Sequence, residues 1–407
     1  MLGPQGLLFF LLILLAFGGL VVWIALSRHV VVRILAACLA FIPAMVFGVA
    51  VVNRYYDYYQ SWNALFSDLS GSDSSVPQLS TADLRDGITG GGGTKLAASD
   101  AQDGLLFSAT IPWPQGHITR QALIYLPPQY FSKAYLNYRF PAVELLHGSP
   151  GQPSAWINVM DVVPTYLALL AAHKAAPAVL VMPNTDGGRQ YALQCLNNPG
   201  GIQDMTYVGQ MVPDWVTANL RVRAPGPAWG VGGYSEGGYC AANIALQYNT
   251  RFRYAGVLSG YFAPTPSQVP VDGKMRVENV FQDYPALAAV NTPQEYVLRM
   301  PSASVTPQFF LAAGAKDPGD VRAALAFRLE LVLRDINPPL MIVQGSGHTA
   351  LVWRAALGPM LQWMTPELAK AAAGPATRAR HPAGHSHLAA KVGAPRKVIV
   401  PPEVTRP

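Results

Sequence analysis

The sequence predicts an α/β protein with a mostly parallel central sheet flanked by helices, preceded by two transmembrane helices. Two uncharged apolar runs occupy most of the first 53 residues. From about residue 105, short apolar segments alternate with amphipathic helical ones, a pattern typical of a parallel sheet covered on both faces. A glycine-rich turn around Ser235 also joins a predicted strand directly to a predicted helix.

The two N-terminal runs are each long enough to cross a bilayer as a helix. Residues 2–27 contain no charged side chain, and residues 34–52 form a second uncharged run. A cleaved signal peptide is the alternative, but no basic residue precedes the first run and a second span follows at once. Arg28 and Arg33 favour a cytoplasmic turn between the spans, so everything after residue 53 is expected outside the cytoplasm.

Composition divides the chain into four parts. Residues 1–53 hold the two helices, 54–103 form a juxtamembrane segment and flexible linker, 104–369 form the globular body, and 370–407 form a disordered basic tail. The tail has seven Lys or Arg and one Glu, which accounts for the whole net charge of +6. The body therefore has no basic excess that would indicate nucleic-acid binding.

Strands and helices alternate through the body, and the first two strands are expected to form a hairpin. Strands are predicted at 105–111, 121–125, 141–146, 178–182, 228–232, 254–258, 307–312 and 340–343, and helices at 154–172, 204–220, 237–248, 321–334 and 350–364. The stretch 261–305 interrupts this alternation. It is interpreted as a cap over the site or as a surface insertion without a role.

The segment Gly233-Tyr-Ser235-Glu-Gly237 follows a strand and precedes a helix, as a nucleophile elbow requires. A sharp strand-to-helix turn strains the serine backbone. Small residues two positions before and after it let the neighbouring backbone pass without a clash. The serine hydroxyl then lies at a helix N-terminus, where the dipole favours developing negative charge. Ser235 is therefore the candidate nucleophile.

The expected chain order of the partners is Ser, acid, His. After Ser235, His348 is the histidine that falls inside the predicted body, in a Gly-flanked loop past the last strand. Asp317 follows the preceding strand and is predicted as the acid that orients His348. Asp320 is the alternative, although it could equally be an N-terminal residue of the next helix.

An oxyanion hole needs two backbone N–H groups, and the sequence offers one on each side of the site. One is predicted at Glu236, directly after the nucleophile. The other is predicted in the loop after the 141–146 strand, where Pro150 has no N–H and Ser149 is the natural donor. His147, in the same loop, is interpreted as a residue that shapes the loop.

Cysteine and histidine placement indicates neither a metal nor a cofactor. No CxxC or zinc-ligand spacing occurs, and His381, His385 and His387 are interpreted as solvated tail residues. Outside the cytoplasm Cys195 and Cys240 could form a disulfide, or they could be two buried thiols.

These pieces resemble the esterase D/antigen 85 (mycolyltransferase-like) branch of the α/β-hydrolases, over residues 105–366. The resemblance lies in His147-Gly-Ser149, Gly-Tyr-Ser235-Glu-Gly, Asp317, and Gly-His348 with Trp353 in the next helix. It also extends to actinobacterial members with N-terminal membrane helices. It implies an α/β-hydrolase fold, a Ser–Asp–His triad and oxyanion amides at Ser149 and Glu236. The sequence departs from antigen 85 in having His147-Gly148 where that group has Asp-Gly.

The sequence therefore predicts a serine-dependent carboxylester hydrolase or acyltransferase at the outer face of the cell membrane, acting on a small-molecule or lipid ester, such as an envelope lipid or glycolipid. It needs no cofactor. A non-catalytic α/β-hydrolase module that binds envelope glycans or a protein partner is the alternative. A scaffold whose basic tail binds anionic polymers or lipid head groups is a further one. The acceptor, the acyl chain and the oligomeric state stay open.

Overall fold

The structure is a computed structural model that describes residues 3–70, 76–84, 102–187, 193–198, 201–265, 267–271, 274–278, 285–301 and 304–377. The predicted linker between 85 and 101 and the predicted tail beyond 377 lie outside these residues.

Two long apolar helices begin the chain, α1 (Leu7–Leu26) and α2 (Val30–Tyr56). Both are long and apolar enough to cross a bilayer, by a criterion of length and composition that a signal sequence would also meet. They pack against each other, as where Phe10 and Phe47 meet edge to face with ring centroids 5.6 Å apart. Most of their other apolar side chains are exposed.

The body is built on an eight-stranded sheet, and a separate two-stranded sheet accompanies it. The strands are β1 (Leu105–Trp113), β2 (Ile118–Leu126), β3 (Ala142–Leu146), β4 (Val179–Pro183), β5 (Gly226–Tyr234), β6 (Phe252–Leu258), β7 (Ser267–Val271), β8 (Lys274–Glu278), β9 (Gln308–Gly314) and β10 (Leu340–Val343).

The order in the eight-stranded sheet is β1-β2-β4-β3-β5-β6-β9-β10. β1 and β2 form the predicted hairpin, β2 pairs antiparallel with β4, and the remaining neighbours are parallel. The predicted, mostly parallel α/β architecture is confirmed.

Helices cover both faces of this sheet, and each face has its own apolar cluster. Beyond α2, the α-helices of four or more residues in the described part of the chain are α3 (Trp62–Ser70), α4 (Ala155–Asn158), α5 (Val162–Ala171), α6 (Val212–Asn219), α7 (Glu236–Gln247), α8 (Pro285–Val290), α9 (Pro293–Arg299), α10 (Pro318–Val332) and α11 (Ala350–Thr377). Helix α7 is buried along its whole length, because it packs under the central strands.

Several elements differ from the sequence prediction. The helix expected over 154–172 is divided into α4 and α5, because Asp161 adopts a left-handed conformation (φ 50°) between them. The stretch 261–305, expected as a cap or an insertion, contains the separate β7–β8 hairpin and helices α8 and α9. At its C-terminal end, α11 continues to Thr377, beyond the predicted domain end at 369.

Part of the predicted flexible linker is bound to the sheet. The backbone N–H of Leu79 donates to the Ser108 carbonyl, and that of Ser108 donates to the Pro77 carbonyl, both at 2.9 Å. Leu84 is completely buried. A few apolar residues in an otherwise polar stretch are therefore enough to hold residues 76–84 against β1, which the composition of the linker did not indicate.

The C-terminal end of α2 is fastened to the body. The Arg354 guanidinium on α11 forms an ion pair with the carboxylate of Asp57, and it also donates to the Asp57 carbonyl at 3.0 Å and the Val159 carbonyl at 2.9 Å. Tyr58 and Tyr59 pack against the apolar cluster that α11 helps to form. These contacts fix the position of α2 relative to the body.

Of the two states left open for Cys195 and Cys240, the structure has the disulfide, with Cα atoms 5.6 Å apart. It links the 193–198 segment to α7, the helix that begins after Ser235. Cys38 on α2 is free and exposed.

We expect the double variant Cys195→Ala/Cys240→Ala to lower the free energy of unfolding by about 2–4 kcal/mol, because the unfolded chain loses a covalent loop closure. The measurement is denaturant unfolding of the detergent-solubilised full chain. Cys38→Ala is the control and should leave the transition unchanged. An equal midpoint for wild type and double variant would contradict the expectation.

Candidate active site

Ser235 lies in the tight turn that the sequence predicts between a strand and a helix. It follows β5 directly and precedes α7, with φ 55° and ψ −122°. Its N–H donates to the Leu258 carbonyl at 2.9 Å, which holds the turn against β6. A non-glycine residue at positive φ is uncommon, and such strain concentrates at functional sites.

The two glycines around Ser235 are required by close backbone contacts. A Cβ on Gly233 would lie 2.1 Å from the Gly237 carbonyl oxygen, and a Cβ on Gly237 would lie 2.1 Å from that of Leu146. Both distances are impossible for real atoms, so any side chain here would push β3, β5 and α7 apart. The steric reason given for the motif therefore holds at both positions.

His348 reaches Ser235 from the loop between β10 and α11. Its Nε2 lies 2.9 Å from the Ser235 hydroxyl oxygen. An edge-to-face contact with Trp353, at 5.5 Å between ring centroids, supports the imidazole from the side. The hydroxyl proton and an imidazole nitrogen are thus within the range that a general base needs.

The acid hydrogen-bonded to His348 is Asp320, and the prediction of Asp317 is wrong in this geometry. Asp320 Oδ2 lies 2.7 Å from His348 Nδ1. Asp317 instead is the N-cap of α10, where its carboxylate accepts the Asp320 N–H at 3.0 Å. Asp320 thus has the role that was expected for Asp317, and Asp317 lies at the helix start, where Asp320 was the candidate. Asp320 lies three residues further along, within the first turn of α10, and its side chain is directed towards the histidine.

The surroundings of His348 hold opposing influences on its pKa. Burial by itself lowers this pKa, whereas the hydrogen bond and the charge of Asp320 raise it, as does the charge of Asp317. The net result is a pKa above the usual value for histidine. Asp320 therefore makes the imidazole a stronger base than burial alone would leave it.

Both predicted oxyanion donors belong to segments that meet at Ser235. Glu236 is the first residue of α7, and the first N–H groups of a helix have no intrahelical acceptor. On the other side, a Cβ on Gly148 would lie 3.1 Å from Ser235 Cβ, so the turn that carries Ser149 is packed against the nucleophile. Both segments lie next to Ser235, and the oxyanion role of their N–H groups stays a prediction.

The Glu236 side chain is a feature that the motif did not reveal. It is almost completely buried, and its Oε1 accepts the N–H of Gln194 at 2.5 Å. Burial raises the pKa of Glu236 to about 8, with a hydrogen bond from Gln194 opposing the shift. Near neutral pH the carboxyl is therefore mostly protonated, and it adds little negative charge beside a position where an oxyanion would form.

The His147 ring forms hydrogen bonds with Thr185 and Gly148. Its Nε2 accepts the Thr185 N–H at 3.1 Å, which leaves the proton on Nδ1, 2.8 Å from the Gly148 carbonyl oxygen. Its side chain thereby joins the ends of β3 and β4. This matches its interpretation as a residue that shapes the loop.

A cavity of about 1020 Å³ lies over Ser235 and His348. Its floor is the body, including residues 148–152, Tyr234 and Trp353. Its other walls come from α1, α2 and α3. None of its lining residues belongs to the described part of 261–305, so these described residues do not form a cap over the cavity.

In the described part of the chain, Asp317, Asp320 and His348 form the cluster whose spacing could also suit a metal ion. His348 Nδ1 and Asp320 are already joined by a hydrogen bond, and His348 Nε2 faces the serine. The cluster is therefore accounted for by a proton-transfer arrangement.

A family model and a curated relative both match this chain. Residues 118–318, just under half of the chain, match the family described as "Putative esterase". This match supports the esterase branch of the α/β-hydrolase superfamily. Over 342 residues it is also 26% identical to an uncharacterised protein of Corynebacterium glutamicum, covering 82% of this chain and 76% of that one.

Solved structures of the esterase branch share the fold. A ferulic acid esterase superposes with a TM-score of 0.54 at 18% identity, covering 64% of this chain and 97% of its own. An S-formylglutathione hydrolase from Agrobacterium tumefaciens gives 0.53 at 17%, covering 65% and 96%. A fluorophosphonate-binding serine hydrolase from Staphylococcus aureus also gives 0.53 at 17%, covering 64% and 98%. These likenesses show the shared fold, and the family match supports an esterase.

We expect Asp320→Asn to lower kcat at least about 100-fold, because the imidazole loses the partner that orients it. Activity requires neutral His348 and so rises with pH through its pKa. Without the charge of Asp320, burial dominates and this apparent pKa falls. The measurement is the pH profile of kcat/KM for an activated ester. Asp317→Asn is the matched control, since Asn caps a helix as well as Asp does. A larger loss in Asp317→Asn would restore the original assignment.

We expect Glu236→Gln to change how stability depends on pH. In the wild type the folded pKa of about 8 lies above the ordinary 4.5, so the contribution of the neutral carboxyl to stability is fully present below pH 4.5 and is lost as pH rises towards 8. The Gln variant lacks this loss, which amounts to an order of 3 kcal/mol at pH 7. Thermal unfolding of the full chain at pH 5 and pH 8 measures it. If the stability of the wild type and of the Gln variant changes by the same amount between pH 5 and pH 8, Glu236 is not a buried ionisable carboxyl.

Proposed function

We propose that the protein is a membrane-anchored serine carboxylester hydrolase or acyltransferase, with Ser235 as nucleophile, His348 as base and Asp320 as orienting acid. The observation that carries the proposal is the continuous hydrogen-bonded chain from Ser235 Oγ through the imidazole to the Asp320 carboxylate. A strained serine at a helix N-terminus, joined to such a pair, is the arrangement that activates a hydroxyl for attack on an ester.

The proposed reaction has two steps. His348 Nε2 takes the Ser235 proton as Oγ attacks the ester carbonyl, and the N–H groups of Ser149 and Glu236 bind the resulting oxyanion. The intermediate collapses to an acyl-enzyme, and the departing alcohol receives the proton from His348. Water or a second alcohol then gives its proton to His348 and attacks the acyl-enzyme. As acid or ester is released, His348 returns the proton to Ser235 Oγ.

Three features support an extracytoplasmic enzyme domain on a membrane anchor. Helices α1 and α2 have the length and composition of membrane spans. The loop between them carries Arg28 and Arg33, which favours its cytoplasmic side. The Cys195–Cys240 disulfide is typical of an oxidising compartment. We assign residues 1–53 to the anchor, 54–103 to the connection, the residues from 104 to the end of α11 to the enzyme, and the remaining residues to a basic tail.

An anchor of this kind favours substrates that share the membrane. Tethering raises the effective concentration of the enzyme towards lipid and glycolipid esters of the outer surface. Since the chemistry after acylation depends only on the attacking group, water and a membrane-bound alcohol are both competent acceptors. The proposed substrates are therefore envelope lipid or glycolipid esters.

We expect a fluorophosphonate probe to label the detergent-solubilised full chain and to lose this labelling in Ser235→Ala. His348→Ala should also abolish labelling, because the hydroxyl loses its base. Ser132→Ala, at an exposed serine outside the site, is the control and should label as the wild type does. A folded wild-type protein that remains unlabelled would favour the non-catalytic binding module.

A further inference from the structure

The cavity over Ser235 has two chemically different walls. One wall holds the reacting groups Ser235 and His348 with the 148–152 loop. The opposite wall is an apolar stripe of helix α2, made by residues that recur on one helix face. This stripe consists of Ile42, Met45, Val46, Val49 and Val52. An active site that is bounded by a predicted membrane span is open to ligands that reside in the bilayer.

The described residues leave much of the α2 stripe uncovered. Ile42 is 57% exposed and Val49 65% exposed, although both line the cavity. The opposing side of α2 packs on α1, as the Phe47–Phe10 contact shows. The stripe therefore presents apolar surface towards the site, and covering it with an apolar ligand would be favourable.

Among the described residues that line this cavity, none is Asp, Glu, Lys or Arg. Ser235 and His348 lie where the ester carbonyl would be, and the α2 stripe contributes apolar side chains, with the polar Asn53 and Tyr56 beyond its C-terminal end. Such a distribution suits a ligand with one reactive polar end and a long uncharged remainder. A free sugar or a charged small ester would leave the α2 wall without favourable contacts.

The length of the stripe sets the size of this remainder. From Ile42 to Val52 the helix rises about 15 Å, at 1.5 Å per residue. An extended chain of about a dozen methylene groups has the same length. Because α2 is held to the body through Asp57 and Arg354, this wall keeps a fixed distance from the nucleophile.

We propose that the acyl chain of the substrate lies along the α2 stripe, with its ester carbonyl at Ser235, so that the preferred substrates are long-chain lipid esters that enter from the bilayer. This rests on the proposed esterase function and adds its acyl specificity. The anchor is then also a wall of the acyl site. The alcohol part of the ester lies on the side of the 148–152 loop.

The test compares acetyl and dodecanoyl p-nitrophenyl esters with the full chain in detergent. The wild type should prefer the longer ester, because each further buried methylene contributes about fourfold in kcat/KM. Val49→Trp fills the stripe and should lower the ratio of kcat/KM for the dodecanoyl ester to kcat/KM for the acetyl ester at least tenfold. Met45→Trp, one turn earlier on the same face, should act in the same direction and serves if the first variant does not accumulate.

The matched control is Val51→Trp, a substitution of the same size on α2 outside the cavity lining. It should retain the wild-type chain-length preference. The acyl site alone would be overturned if all three variants cleave the acetyl ester and show the same chain-length preference. These variants are Val49→Trp, Met45→Trp and Val51→Trp. Absence of cleavage of every ester, together with absent fluorophosphonate labelling, would overturn the proposed function and this inference with it.

Discussion

The rest of the site depends on the close backbone contact between the end of β3 and the start of α7. Gly237 lies so near the Leu146 carbonyl that a single methyl group would be 2.1 Å from it. This contact brings three segments to one point: the β5 end that carries Ser235, the N-terminus of α7, and the loop after β3 that carries Ser149. Nucleophile and predicted oxyanion donors are therefore positioned by one steric constraint.

Three acidic residues near Ser235, Asp317, Asp320 and Glu236, differ in their hydrogen bonds and burial and therefore in their roles. Asp320 is joined to His348 and raises its pKa, so it favours proton uptake. Asp317 is occupied with the cap of α10. Glu236 is kept largely neutral by burial, with its pKa raised to about 8. Of these three acids, Asp320 is therefore the one that is hydrogen-bonded to the base His348. The Glu236 carboxyl, largely neutral beside the nucleophile, does not repel a negatively charged oxyanion.

The N-terminal helices are part of the same architecture. The ion pair between Arg354 and Asp57 connects α2 to α11, and α11 begins two residues after His348. The cavity over Ser235 is closed by this helical hairpin, whereas the described part of 261–305 packs elsewhere. Anchor and active site therefore share a wall, which makes the position of the hairpin relevant to the chemistry as well as to location.

The sequence by itself determined the fold class, the Ser235 turn and the candidate base. Hydrophobic periodicity and the steric requirements of a tight turn depend on residues that are close together in the chain, so the sequence shows them directly. Tertiary structure decided what depends on distant contacts. Asp317 and Asp320 are indistinguishable in spacing, and only the packing of α10 against the His348 loop selects between them. The disulfide, the buried state of Glu236 and the α2 wall likewise arise where segments far apart in the chain meet, so their burial and charge could not be read from local pattern.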